Sequence, residues 1–369
     1  MNTWHIIEKM GTANASHPSP AERAQAVLDD LIDKSSADQM ELSPNNNSFS
    51  ICLRAWCKSP RPDASEKAMQ LLRKKESYAR KNDAVFIRAE DYNLTISKMV
   101  DDHKHGVERA TALFEEAIHR FSDCEGPARP NAATLNALLN VYAKQRDRES
   151  AERAESYLRR TNFMHKEGRC FRPDAVSYRS VIDAWILSFD PEAPSRVESL
   201  VEEMGKKSVE EGRKDLRPDS NSYNLIIKAC SHAPSKWNET GERGETLAIA
   251  NRAFATLKAN KLVTHGSYSH MINTYRAHMH FKDERYLPLM SSLWKRCCAE
   301  GMVSQFTLES FAGAVLPNQF WKAIGNRNHF AHKGRATPED ISAGDLPKLW
   351  RRNVKPLPPS KAKAYRQRR

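Results

Sequence analysis

An aromatic residue or leucine, followed by one other residue and then apolar pairs, recurs at Trp4, Phe49, Tyr92, Leu135, Tyr178, Tyr223, Tyr268 and Leu308. Successive gaps are 45, 43, 43, 43, 45, 45 and 40 residues. A self-similar period in this range marks a stacked repeat architecture, in which no unit can bury its apolar face alone. This constraint overrides the two or three ordinary domains that 369 residues would otherwise suggest.

The segment from Arg172-Pro173-Asp174 to Trp185 shows what one unit must be. Proline disfavours helix in the residue before it, so a preceding helix has ended by Arg172. Asp174 and Ser177 have short polar side chains able to cap the free N–H groups of a starting helix. Tyr178, Val181, Ile182 and Trp185 then fall at i, i+3, i+4 and i+7, one apolar stripe of an α-helix. The stripe repeats as Phe49/Cys52/Leu53/Trp56, Leu135/Leu138/Leu139/Tyr142 and Tyr268/Met271/Ile272/Tyr275. A small capping-type residue precedes each aromatic or leucine: Thr3, Ser48, Asp91, Thr134, Ser177, Ser222, Ser267 and Thr307. A second helix follows, marked by Glu22-Arg23-Ala24, Glu66-Lys67-Ala68, Glu108-Arg109-Ala110 and Glu152-Arg153-Ala154. The fold expected is all-α, a solenoid of stacked helix-turn-helix hairpins.

About seven repeats are expected over residues 1–316, with starts near 1, 46, 89, 132, 175, 220, 265 and 305. The polar stretches Gly205–Asp215 and Ser231–Gly244 read as solvated insertions, since added length in a solenoid maps to loops. Residues 317–344 read as a linker and 345–369 as a basic, disordered tail. That tail holds nine Lys/Arg against Asp345, leaving 49 basic and 45 acidic groups elsewhere, so the overall +12 says little about the repeat body. The seven cysteines show neither zinc spacing nor a disulfide framework and read as inert thiols. No apolar run approaches the ~18–20 residues of a membrane span. The N-terminus shows no signal or transit segment, as though the chain began mid-architecture.

Arg172-Pro173-Asp174 leading into Val176-Ser177-Tyr178, Arg217-Pro218-Asp219 leading into Ser222-Tyr223-Asn224-Leu225, and Thr134-Leu135-Asn136-Ala137 resemble pentatricopeptide repeats. The resemblance covers residues 1 to about 316, in units longer than that family's usual ~35 residues. It implies a right-handed superhelical solenoid that binds single-stranded RNA, about one base per hairpin, through two or three side chains. The implied reading pair is the residue after the aromatic with the last residue of the unit. Carried onto this chain, the pairs are Asn93 with Asn131, Asn136 with Asp174, Arg179 with Asp219, Asn224 with Thr264, and Ser269 with Ser304. Ser50 with Arg88 and His5 with Asn45 complete the series. Arg179 and Glu309 depart from it, as poor base readers. The family's apolar base clamp, two residues before the aromatic, is matched only by Val176 and Phe306.

The resemblance further implies a role in organellar RNA processing, stability or translation by occupancy, in mitochondrion or chloroplast, or otherwise in the cytoplasm. The partner expected is single-stranded RNA, with other proteins as further partners, no membrane and a monomeric state. The alternative is a protein-binding scaffold of the tetratricopeptide-like class, which the near-neutral body keeps open. No enzyme activity and no cofactor are expected: there is no phosphate loop, zinc hydrolase motif or nucleophile elbow. His103/His105 and His278/His280 are spaced i, i+2, which points them to different helix faces and argues against metal ligation.

Overall fold

The computed structural model describes residues 18–36, 43–121, 126–234, 242–325 and 337–354. Among them every regular element is helical, and two compact units result, Met1–Ser188 and Phe189–Arg369. The first contains α1 (Pro20–Ser36), α2 (Asn46–Lys58), α3 (Ala64–Ala79), α4 (Ala89–Lys98), α5 (Gly106–Phe121), α6 (Ala132–Gln145), α7 (Arg148–Lys166) and α8 (Ala175–Ser188). The second contains α9 (Ala193–Glu210), α10 (Ser220–His232), α11 (Glu242–Ala259), α12 (His265–His278), α13 (Tyr286–Ala299), α14 (Gln305–Ala312) and α15 (Pro317–Ile324). The stripe-bearing A helices stack on one another, α2 on α4 on α6 on α8 and α10 on α12 on α14. The B helices α3, α5, α7 and α11 each pack against the A helices before and after them. The Trp4 stripe and His5 lie outside the described residues.

Phe49, Tyr92, Leu135, Tyr178, Tyr268 and Leu308 are all buried, so the recurring ring is core; Tyr223 is half-buried. In four of the stripes the residue seven on is a Trp or Tyr whose polar tip reaches the preceding B helix. Trp56 Nε1 donates to Gln25 Oε1 at 3.2 Å and Trp185 Nε1 to Glu155 Oε2 at 2.9 Å. The Tyr142 hydroxyl lies 2.9 Å from Thr111 Oγ1, and that of Tyr275 donates to Asn251 Oδ1 at 2.7 Å. Each bond spans about one hairpin and gives the amphipathic ring a partner for its polar end.

The residue before each ring is not the N-cap but the third helical position. Asn45, Asn131, Asp219 and Thr264, three residues earlier, are the N-caps and bond reciprocally with Ser48, Thr134, Ser222 and Ser267. This is a capping box built with Ser or Thr in place of the usual Glu. The second helix is capped in its own way: Asp147 accepts from Ser150 N–H at 2.7 Å. Asp147→Ala is therefore expected to cost about 1 kcal/mol, read as a lower urea midpoint at unchanged slope.

B helices one repeat apart are laced by ion pairs, Lys74–Asp29 and Arg73–Glu116 at 2.6 Å, Arg252–Glu198 at 2.7 Å, and Arg160–Glu115. Exposed pairs of this kind contribute roughly 0–1 kcal/mol each.

Three segments differ from the sequence reading. Gly205–Glu210 is not a loop but the last turns of α9, where Gly205 lies against Pro218. Residues 317–324 are not linker: α15 buries Phe320 and Ile324, and the Phe320 ring meets Phe311 of α14 at 6.1 Å. Residues 337–354 are neither linker nor disordered tail. They fold as three 3-10 turns, bury Ile341 and Leu346, and pair with the α13–α14 turn through Val303 N–H to Trp350 O (2.8 Å) and Asn353 N–H to Gly301 O (3.0 Å). Gly301, at φ 71°, makes that approach possible, since a Cβ there would stand 2.5 Å from Arg352 Cγ. Residues 326–336 and 355–369 lie outside the described residues, as does 235–241 of the second insertion.

Candidate nucleic-acid interface

Because the A helices stack in order within each unit, the first turn of each lies there beside the first turn of the next. This puts the residue after the ring next to the following helix's N-cap. Asn136 Nδ2 donates to Asp174 Oδ1 at 3.2 Å, across 38 residues of chain. Asn224 Nδ2 donates to Thr264 Oγ1 at 3.0 Å, across 40. A third residue joins each pair: the Ser177 hydroxyl donates to Asn136 Oδ1 and the Ser267 hydroxyl to Asn224 Oδ1, both at 2.7 Å. The two amides, Asp174 and Thr264 are half-buried, at the edge of the stack, and the two serines are buried behind them. An amide offers both donor and acceptor, and each Asn retains a second N–H and a second lone pair beyond these bonds.

The other expected pairs are placed differently. Asn131 is exposed and caps α6, accepting from Ala133 and Thr134 N–H at 3.0 and 3.3 Å. Asn93, half-buried on α4, has a buried Oδ1 with no hydrogen-bond partner among the described residues. Ser269 is fully buried, donating to His265 O at 3.1 Å and lying 3.0 Å from Thr307 Oγ1, so its hydroxyl faces no solvent. Ser304 caps α14 through Thr307 N–H at 3.1 Å. Arg179 is exposed on α8, 3.9 Å from Asp183, while Asp219 caps α10 in the second unit through Ser222 N–H at 2.9 Å. Ser50 is buried, and the Arg88 guanidinium stands over the Phe86 ring at 5.2 Å.

Val176 and Phe306, the two clamp-type residues, are exposed beside these first turns at 54% and 41%. Phe306 meets the His270 ring edge-on at 5.9 Å. Burial, with the neighbouring charges of Lys228, His232 and His265, pushes the His270 imidazole down to about 4, so it is neutral at ordinary pH. The charged groups around the row are mixed, with Arg54 paired to Glu90 at 2.5 Å. The residues sequence reasoning missed are Ser177 and Ser267 in their second role. Their recurrence two positions before each reading residue was visible, but it was explained by capping alone.

Burial pushes the Cys52, Cys57, Cys230 and Cys298 thiols up to about 12, away from the reactive thiolate; Cys124 lies outside the described residues. His278 is bonded at 2.7 Å to Cys230 O and His280 stacks on Phe281. Among the described residues no group of three or more His, Cys, Asp or Glu is placed to hold a metal ion, and no helix is long and apolar enough to cross a membrane.

The chain is a helical-repeat protein. No family model and no curated protein matches it. Among solved structures it is similar to the pentatricopeptide repeat protein PPR10 in complex with an 18-nt psaJ RNA element, at 14% identity and TM-score 0.33. A form of PPR10 with three cysteines changed to serine, bound to the same RNA element, gives the same figures. The match covers 83% of this chain and 48% of PPR10, so the chain spans about half the length of the protein it matches.

Proposed function

We propose that the chain binds single-stranded RNA along the first turns of the stacked A helices within each unit, with base edges meeting Asn136/Asp174 in the first and Asn224/Thr264 in the second. The observation that carries this reading is the pairing itself. Two residues 38 apart in one case and 40 in the other, linked by the pentatricopeptide resemblance alone, stand at 3.2 and 3.0 Å with hydrogen-bonding capacity to spare. Asn93 with Asn131 extends the row in the first unit, where Arg179 offers a phosphate contact, and Asp219 stands at the start of the row in the second. The exposed Val176 and Phe306 offer apolar surface for base faces. Ser269 and Ser304 form a weaker position, because Ser269 is enclosed.

Many cations of the body are engaged by carboxylates, as Arg73, Lys74 and Arg252 are. Affinity there comes from base contacts more than from phosphate charge, and its salt dependence is correspondingly shallow. Binding of this kind acts by occupancy, protecting or remodelling a transcript, and the pentatricopeptide resemblance supports a role in organellar RNA processing, stability or translation.

Selection of RNA from a random pool tests the proposal. Changing Asn136 and Asp174 together to alanine should alter preference at one base by about tenfold and leave the others in place. An unmoved preference at every position rules out readout by this pair. Crosslinking in the protein's own cells separates RNA from a peptide partner: recovery of protein without RNA would favour the scaffold reading.

A further inference from the structure

Asn136 could turn its amide about χ2 and offer a base either its carbonyl or its amino group. In the structure it is held by a closed ring of four hydrogen bonds. Asp174 N–H donates to Ser177 Oγ at 3.2 Å, and the Ser177 hydroxyl donates to Asn136 Oδ1 at 2.7 Å. Asn136 Nδ2 donates to Asp174 Oδ1 at 3.2 Å, which also accepts Ser177 N–H at 2.9 Å. A carboxylate accepts only, so the amino side of the amide must face Asp174. That leaves the Asn136 carbonyl facing Ser177, whose single proton has two acceptors in reach and goes to the nearer, Asn136 Oδ1 at 2.7 Å rather than Asp174 Oδ1 at 3.1 Å. Ser177 is fully buried and cannot reach a bound base.

The ring recurs in the second unit. Thr264 N–H donates to Ser267 Oγ at 3.0 Å, the Ser267 hydroxyl to Asn224 Oδ1 at 2.7 Å, and Asn224 Nδ2 to Thr264 Oγ1 at 3.0 Å. Ser267 is fully buried as well. A contrast lies on α4: Asn131 N–H reaches Thr134 Oγ1 at 3.1 Å, yet Asn93 Oδ1 receives no hydrogen bond among the described residues. There the ring is open.

We infer that Ser177 and Ser267 are positioning residues for base selectivity: each fixes the orientation of the reading asparagine of the preceding repeat, Asn136 or Asn224, without touching RNA. This rests on the RNA-binding reading above. It makes selectivity a property of closed rings, sharp at Asn136 and Asn224 and relaxed at Asn93. A hydroxyl at this place therefore does two tasks, capping its own helix and orienting the amide behind it.

Ser177→Ala and Ser177→Thr test the inference, threonine being the residue at the equivalent positions 134 and 307. The first readout needs no RNA: the side-chain amide resonances of Asn136 in protein labelled at asparagine. They should move toward free-asparagine positions in Ser177→Ala and return in Ser177→Thr. The second is the ratio of Kd values for RNA 14-mers carrying each of the four bases at the position selected by Asn136. That ratio should fall from about tenfold to about twofold in Ser177→Ala, with the best Kd changed less than about threefold, and recover in Ser177→Thr. A purely structural serine would instead weaken all four RNAs equally, and that result overturns the inference. So would unmoved Asn136 resonances. If the wild-type chain binds none of the RNAs, the RNA-binding reading fails while the resonances still decide the positioning.

Discussion

Asp91→Thr is expected to lower the unfolding free energy by about 3–5 kcal/mol, although threonine keeps the capping role. Asp91 stands where the next repeats have Thr134 and Ser177, and it accepts Arg88 N–H at 2.8 Å as those residues accept their own caps. It differs in holding the Lys75 ammonium at 2.7 Å, with both side chains at 2% exposure. One repeat on, the place of Lys75 is taken by Ile118. Removing the carboxylate alone strands a buried cation, whereas Lys75→Ile with Asp91→Thr imports the apolar solution of the neighbouring hairpin. The double variant should return to within about 1 kcal/mol of wild type or exceed it. Equal urea midpoints for Asp91→Thr and wild type would refute the assignment of a buried ion pair.

The deficit of the single variant should also depend on pH. Burial pushes the Lys75 ammonium below the usual lysine value, and the Asp91 charge and hydrogen bond oppose that fall. Without Asp91 the folded-state value drops further. The unfolded chain then binds more protons than the native one between that lowered value and about 10.4, so stability rises with pH through that window. The gap between Asp91→Thr and wild type should therefore be smaller in urea melts at pH 9.5 than at pH 7.

What sequence could and could not reveal follows from the range of each interaction. The stripe Tyr178/Val181/Ile182/Trp185 is a local pattern with a helical period, and its recurrence made the all-α hairpin stack legible. Helix α15 was missed because Phe320, Trp321 and Ile324 lack the acid–base–Ala signature of the other B helices, although Pro317 was available as a start signal. The fold of 337–354 was illegible for a different reason. Ile341, Leu346 and Trp350 are scattered among prolines and charged residues of both signs, without a period, and their order comes from the α13–α14 turn they cover. The reading pairs were located by resemblance, but which of them are accessible was not. Burial of Ser269, the orphaned Asn93 carbonyl and the bond from Ser177 to Asn136 depend on neighbours about 40 residues away. Equal-looking positions in a repeat are thus unequal in chemistry, because each is finished by the unit that follows.

The same dependence on a neighbour makes Trp185 a sensitive core position. Its indole is fully buried at the end of the α8 stripe, and its N–H bonds Glu155 Oε2, a buried carboxylate on α7 that also takes Arg159 at 2.5 Å. Trp185→Ala is expected to cost about 3–5 kcal/mol through the cavity it leaves. Trp185→Phe fills most of that space but withdraws the N–H, and should cost about 1–3 kcal/mol from the carboxylate left short of a donor. Pairing Trp185→Phe with Glu155→Leu removes both polar ends and should recover most of that loss, as double-mutant cycles register for groups in direct contact. Repeats interact chiefly with their neighbours, so the damage should be local. Hydrogen exchange in Trp185→Ala should speed in α7 and α8 while α2 and α3 keep their protection. Uniform acceleration across all four helices would show instead that the first unit unfolds as one cooperative block.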